Sequence, residues 1–146
     1  MPAPLRLKSE RGQALLETAL TMPLLLLVVV GIFEFGRAYQ TWQVVTNAAR
    51  EGARVAVLPY AAAGAASTRV QAYLESGQLS SPSSASVAVT TESIALGGGA
   101  TAPASRVTVA YPFEFMVLQP IARLVVRGST AGAPLTMTAS AVMRNE

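Results

Sequence analysis

Residues 15–35 read LLETALTMPLLLLVVVGIFEF, and this stretch limits the possible folds more than any other. No charge occurs from Thr18 to Phe33. The hydrocarbon core of a bilayer is ~30 Å thick, and a helix of about 17–25 apolar residues crosses it. The run from about Ala14 to Phe33 meets that length, with a single carboxylate, Glu17, near its amino-terminal end. A carboxylate costs roughly 2.5–3.5 kcal/mol at the bilayer centre and less toward the headgroups. Retaining one there makes Glu17 a candidate functional residue. The plainer alternative is an anchor with Glu17 at headgroup level.

The flanks give the direction of crossing. Arg6, Lys8 and Arg11 precede the run, opposed only by Glu10. Positive charge beside a membrane segment stays on the cytoplasmic side. Beyond the run, Glu34 and Arg37 are mixed in sign. The expectation is a single pass through the cytoplasmic membrane, amino terminus inside, everything after about Gly36 outside. A secretory signal ends in a small-x-small cleavage site. Here the run is followed by GIFEFG at residues 31–36, which offers none.

Several chemistries are excluded by composition. The chain has no His, no Cys and no Asp. That removes Ser-His-Asp and Cys-His nucleophile systems, disulfides, thiolate or imidazole metal sites and aspartate-rich cation sites. Glu10, Glu17, Glu34, Glu51, Glu75, Glu92, Glu114 and Glu146 are scattered, with no spacing that suggests a carboxylate pair. Net charge is +3 without a dense basic run, so no nucleic-acid partner is expected. The chain reads as a non-enzyme that needs no metal and no cofactor.

Helical character continues past the membrane run. Gln40, Gln43, Asn47, Arg50 and Arg54 recur at steps of three and four, on one face. Val45, Ala48, Ala49, Gly52, Ala53 and Ala56 fill the other, and small residues admit a close neighbour. That neighbour is either the chain's own domain or the helix of another subunit. Pro23 lies inside the membrane part, where proline is tolerated and usually kinks the helix. No further proline interrupts before Pro59. A single helix over residues 13–58, membrane-spanning at about 14–35, follows a basic leader of residues 1–12. At 1.5 Å per residue it is ~70 Å long. Phe35, Tyr39 and Trp42 sit just outside the run, where aromatic rings favour the interface.

Residues 59–146 form the exported part. Ser67 is a candidate cap for a short helix Thr68–Ser76 that ends at Gly77. Ser80–Ser84 is a Ser/Pro linker. Ala85–Leu96 and Arg106–Phe115 have strand character, and Gly97-Gly98-Gly99 between them marks a hairpin with a loop longer than two residues. Leu118, Ile121, Ala122 and Val125 fit a short helix with Pro120 in its first turn. Leu135, Met137, Ala139, Ala141 and Met143 alternate with polar residues as a half-buried strand. The fold class expected is α+β: a long helix with a three-stranded antiparallel sheet laid on it. Phe113–Val126 is too short to span. It is either core, with Phe113, Phe115, Met116 and Leu118 buried, or an exposed apolar patch touching membrane or partner.

The motifs together carry a resemblance. Gly12, four residues and then Glu17 leading into an apolar helix resembles the processing signal of type IV pilin-like proteins. With Pro23, Phe35-Gly36-Arg37 and the run Asn47-Ala48-Ala49-Arg50-Glu51-Gly52-Ala53-Arg54, the chain resembles the TadE-like family of tight-adherence pseudopilins, and the closing LTMTASAVMRNE is similar too. The resemblance implies a pilin-like fold and cleavage by a prepilin peptidase after Gly12, with Gln13 as the new terminus. It implies that Glu17 pairs with the amino group of a neighbouring subunit in lipid. Glu17, Pro23, Ala48, Ala49, Gly52 and Ala53 are then assembly residues. The partners implied are membrane lipid, other pilin and pseudopilin subunits and the pilus assembly machinery, in an oligomeric filament. Gln13 departs from the Phe of type IV major pilins, and Thr18 from the Tyr that follows the Glu in small major pilins. The alternative is an uncleaved, membrane-anchored adhesin or envelope scaffold.

Overall fold

The computed structural model describes residues 10–125, 127, 128 and 130–145. The layout is α+β, as the sequence suggests. Helix α1 runs Glu10–Ala56, followed by α2 (Ala65–Ser76), β1 (Ser86–Gly97), β2 (Ala100–Phe113), α3 (Leu118–Val125) and β3 (Leu135–Arg144). The three strands form one antiparallel sheet in the order β1-β2-β3. Pro23 lies within α1, with helix on both sides of it.

Helix α1 has two parts. From Gly12 to Val29 it is exposed throughout, and its carboxy-terminal part is the spine of the core. Val45, Ala48, Ala49 and Ala53 are fully or almost fully buried, with Val70 and Leu74 of α2 and Val107, Val109 and Tyr111 of β2 packed around them. The polar stripe of Gln40, Gln43, Arg50 and Arg54 faces solvent. Small side chains let the layers approach. A Cβ added at Gly52 would stand 2.5 Å from Val70 Cγ2 and 3.1 Å from Val107 Cγ1. At Gly77 one would stand 2.4 Å from Val44 Cγ1. Gly77 itself has φ −75° and the left-handed position falls to Gln78, at φ 55°. Glycine at 77 therefore answers to the closeness of α1, not to backbone handedness.

Four local expectations change. Helix α2 starts at Ala65 with Gly64 before it and no side-chain cap, so Ser67 lies inside the helix rather than capping it. The hairpin loop has two residues: Gly97 pairs with Ala100, and Gly98 and Gly99 sit at φ 60° and 82°. Positive φ at both central positions is what a two-residue turn of the right twist requires. Strand β2 therefore begins at Ala100, six residues before Arg106. Its early part hides behind Pro103, which a central strand disfavours. Here the Pro103 carbonyl accepts the Asn145 N–H at 2.9 Å, just past the end of β3, so the proline stands one position beyond the last pair of the β2–β3 ladder, Ala104 with Arg144. The fourth change concerns Met116, which is 66% exposed rather than part of the core, while Phe113 is buried. Strand β1 is an edge that reaches past α1, so Val89 is half exposed although it pairs with buried Val107.

Candidate assembly surface

Between Gly12 and Val29 every residue of α1 is exposed. The most apolar 18-residue window of this helix has a mean hydropathy of 2.2, and none of it is buried inside the subunit. A core helix of a soluble protein would bury such a window. Among the described residues this is the one helix long and apolar enough to cross a membrane. The hydroxyls in it need no water. Thr18 donates to the Ala14 carbonyl at 2.8 Å and Thr21 to the Glu17 carbonyl at 3.0 Å, the usual way a membrane helix satisfies them.

The run ends at a polar clasp. Glu34 is fully buried, although no His, Lys or Asp helps it. Its Oε2 accepts a bond from Arg37 at 2.9 Å, one turn along, and its Oε1 accepts the Val117 N–H at 2.6 Å. Arg37 also donates to the Glu114 carbonyl, and its guanidinium lies over the Phe113 ring, 4.4 Å from the centroid. Phe115 stands edge-on to both Phe113 and Phe35, at 5.1 and 6.4 Å. The clasp ties α1 to the segment after β2 where the helix leaves its apolar half. A buried charge with one partner removed is strongly destabilising, so each of these bonds matters to the others. In the sequence Glu34 and Arg37 are mixed flanking charge, Arg37 also belonging to the Phe35-Gly36-Arg37 feature of the resemblance, and neither points to a clasp. Their i,i+3 spacing was the available signal, but their third partner lies 83 residues away.

The remaining site residues fall into four groups. Arg6 and Lys8 lie outside the described residues. Arg11, Gly12 and Gln13 are in the first turns of α1, which starts three residues before Gln13. Glu17 and Pro23 are exposed on its apolar half. Counting 17 residues from Glu34 at 1.5 Å each places Glu17 ~25 Å down the helix. Ala48, Ala49, Gly52 and Ala53 do not join them: α2 and the sheet of the same chain cover all four. Of the two neighbours open to that small face, the chain's own domain is the one present. The surface left free for another chain is the apolar half with Glu17.

Residues 12–54 match the model of a family described as TadE-like protein. The matched segment holds the Gly12–Glu17 spacing, the apolar run, the clasp residues Glu34 and Arg37, and the small face that seats the domain. No curated protein and no solved structure matches the chain.

Proposed function

Because residues 12–54 form a TadE-like helix, the mark of proteins associated with the tight-adherence pilus, we propose that this chain is a minor pseudopilin. It sits in the cytoplasmic membrane by the apolar half of α1, amino terminus inside under Arg6, Lys8 and Arg11, and its domain lies outside. A prepilin peptidase cuts between Gly12 and Gln13. The subunit then leaves the lipid by packing its helix among those of other pilins and pseudopilins, and so initiates or stabilises a surface filament.

The observation that carries this reading is the division of α1: an apolar stretch exposed from Gly12 to Val29, and a later part whose small face seats the domain. A helix so exposed has lipid or other helices as its solvent. Glu17 adds direction. With the clasp at the outer boundary of a ~30 Å core, the inner boundary falls near residue 14, and Glu17 lies about one turn inside it. A new amino group at Gln13 of a neighbouring subunit neutralises it there. Opposite charges attract strongly at low dielectric, and each alone is costly.

The experiment replaces Gly12 and Glu17 separately in the native host. Gly12→Val is expected to leave the leader attached, with mass higher by those residues. Glu17→Gln is expected to be processed and inserted but excluded from filaments. Unprocessed wild-type protein together with normal filaments in both variants would end the assembly reading. What would remain is the anchored adhesin or scaffold.

A further inference from the structure

We infer that the segment from Phe115 to Arg123 is a second membrane contact, lying on the outer lipid interface beside the point where α1 emerges. The inference rests on the reading of α1 as the membrane helix. Its level is fixed by the clasp. Val117 donates directly to Glu34, and Phe115 packs edge-on against Phe35. Glu34 follows Ile32 and Phe33, the last exposed apolar residues of the run. The segment is therefore held at the depth where the hydrocarbon gives way to headgroups.

Its surface suits that depth. Met116 is 66% exposed and Val117 36%, beside an exposed Phe35. Among the described residues none buries Met116 or Phe35, and an isolated domain in water has no use for large apolar residues left exposed together at one spot. Helix α3 follows at once, with Leu118 and Ile121 half-buried and Arg123 exposed, and Arg127 is exposed just past its end. Apolar residues with flanking arginines are the pattern of segments that lie in the interfacial plane, where arginine reaches lipid phosphate. Burying Glu34 under Val117 completes the device, because the backbone N–H and Arg37 replace the water this carboxylate would otherwise need. Two contacts, one spanning and one lying flat, fix the tilt of the domain over the bilayer. A lone helix leaves the domain free to swing.

The chain has no cysteine, so single probes are clean. Met116→Cys, Val28→Cys and Tyr60→Cys are made in the full-length protein, labelled with an environment-sensitive fluorophore and placed in liposomes of phosphatidylcholine and phosphatidylglycerol. Tyr60 is 98% exposed, four residues past the end of α1, and reports water. The expected result is blue-shifted emission at 28 and 116, quenching at 116 by lipids spin-labelled near the headgroup, and iodide quenching only at 60. Iodide quenching at 116 equal to that at 60, with 28 in lipid, overturns the inference and leaves the anchor standing. A probe at 28 in water overturns both. A probe at 116 shielded from iodide and lipid quenchers alike overturns it in favour of a protein partner.

Discussion

Replacing Gly52 by alanine sets two effects of known sign against each other. Alanine is better than glycine in a helix interior by about 1 kcal/mol, so propensity alone forecasts a gain. Packing forecasts a loss. The new Cβ meets Val70 Cγ2 at 2.5 Å, about 1 Å inside ordinary contact, and Val107 Cγ1 at 3.1 Å. Both valines are fully buried, and a helical valine has essentially one side-chain rotamer, so Val70 cannot turn away. Overpacking of this kind costs about 1–3 kcal/mol. With no cheap relaxation open the cost takes the upper part of that range, about 2–3 kcal/mol, so packing wins by about 1–2 kcal/mol, a fall in Tm on the order of 5–10 °C for a domain of this size. The assay is thermal unfolding of the full chain in detergent micelles, followed by near-ultraviolet circular dichroism of buried Tyr111. Gly36→Ala is the control, since its Cβ would meet nothing within 4 Å. An unchanged or raised Tm for Gly52→Ala would refute the packing argument. If filaments failed while Tm held, Gly52 would be a contact between subunits instead.

Two further outcomes follow from the clasp and the core. Glu34→Ala removes the acceptor of the Val117 N–H and one of the partners of Arg37, which keeps the Glu114 carbonyl and some water, a loss of about 1–3 kcal/mol, so the Val117 amide should exchange with solvent faster than in the parent. Tyr111→Phe should be nearly silent, below about 1 kcal/mol, because the phenol oxygen meets Ser80 Oγ and Ser81 N only at 3.4 and 3.3 Å. Tyr111→Ala should cost about 3–5 kcal/mol through its buried ring, and denaturant midpoints of the two variants separate hydroxyl from ring.

The sequence by itself determined the features that depend on composition along one segment. The uncharged run from Thr18 to Phe33 fixed an apolar helix, and alternation from Leu135 to Met143 fixed β3. The three glycines at 97–99 fixed a turn, and the spacing of Gly12 and Glu17 fixed the family resemblance. Each is a local partition between water and its absence, or a backbone angle only glycine takes easily. Tertiary structure decided what depends on a neighbour distant in the chain. Glu34 reads as flanking charge until Val117 and Arg37 close over it. Ala48, Ala49, Gly52 and Ala53 offer a close approach to any helix or sheet, and only the fold shows that α2 and β2 take it. Ala100–Ser105 has one branched residue, Thr101, and a proline, and becomes strand because β1 is already laid out beside it. Periodicity tells a residue which way to face; what it finds there is set by chain that returns from far away.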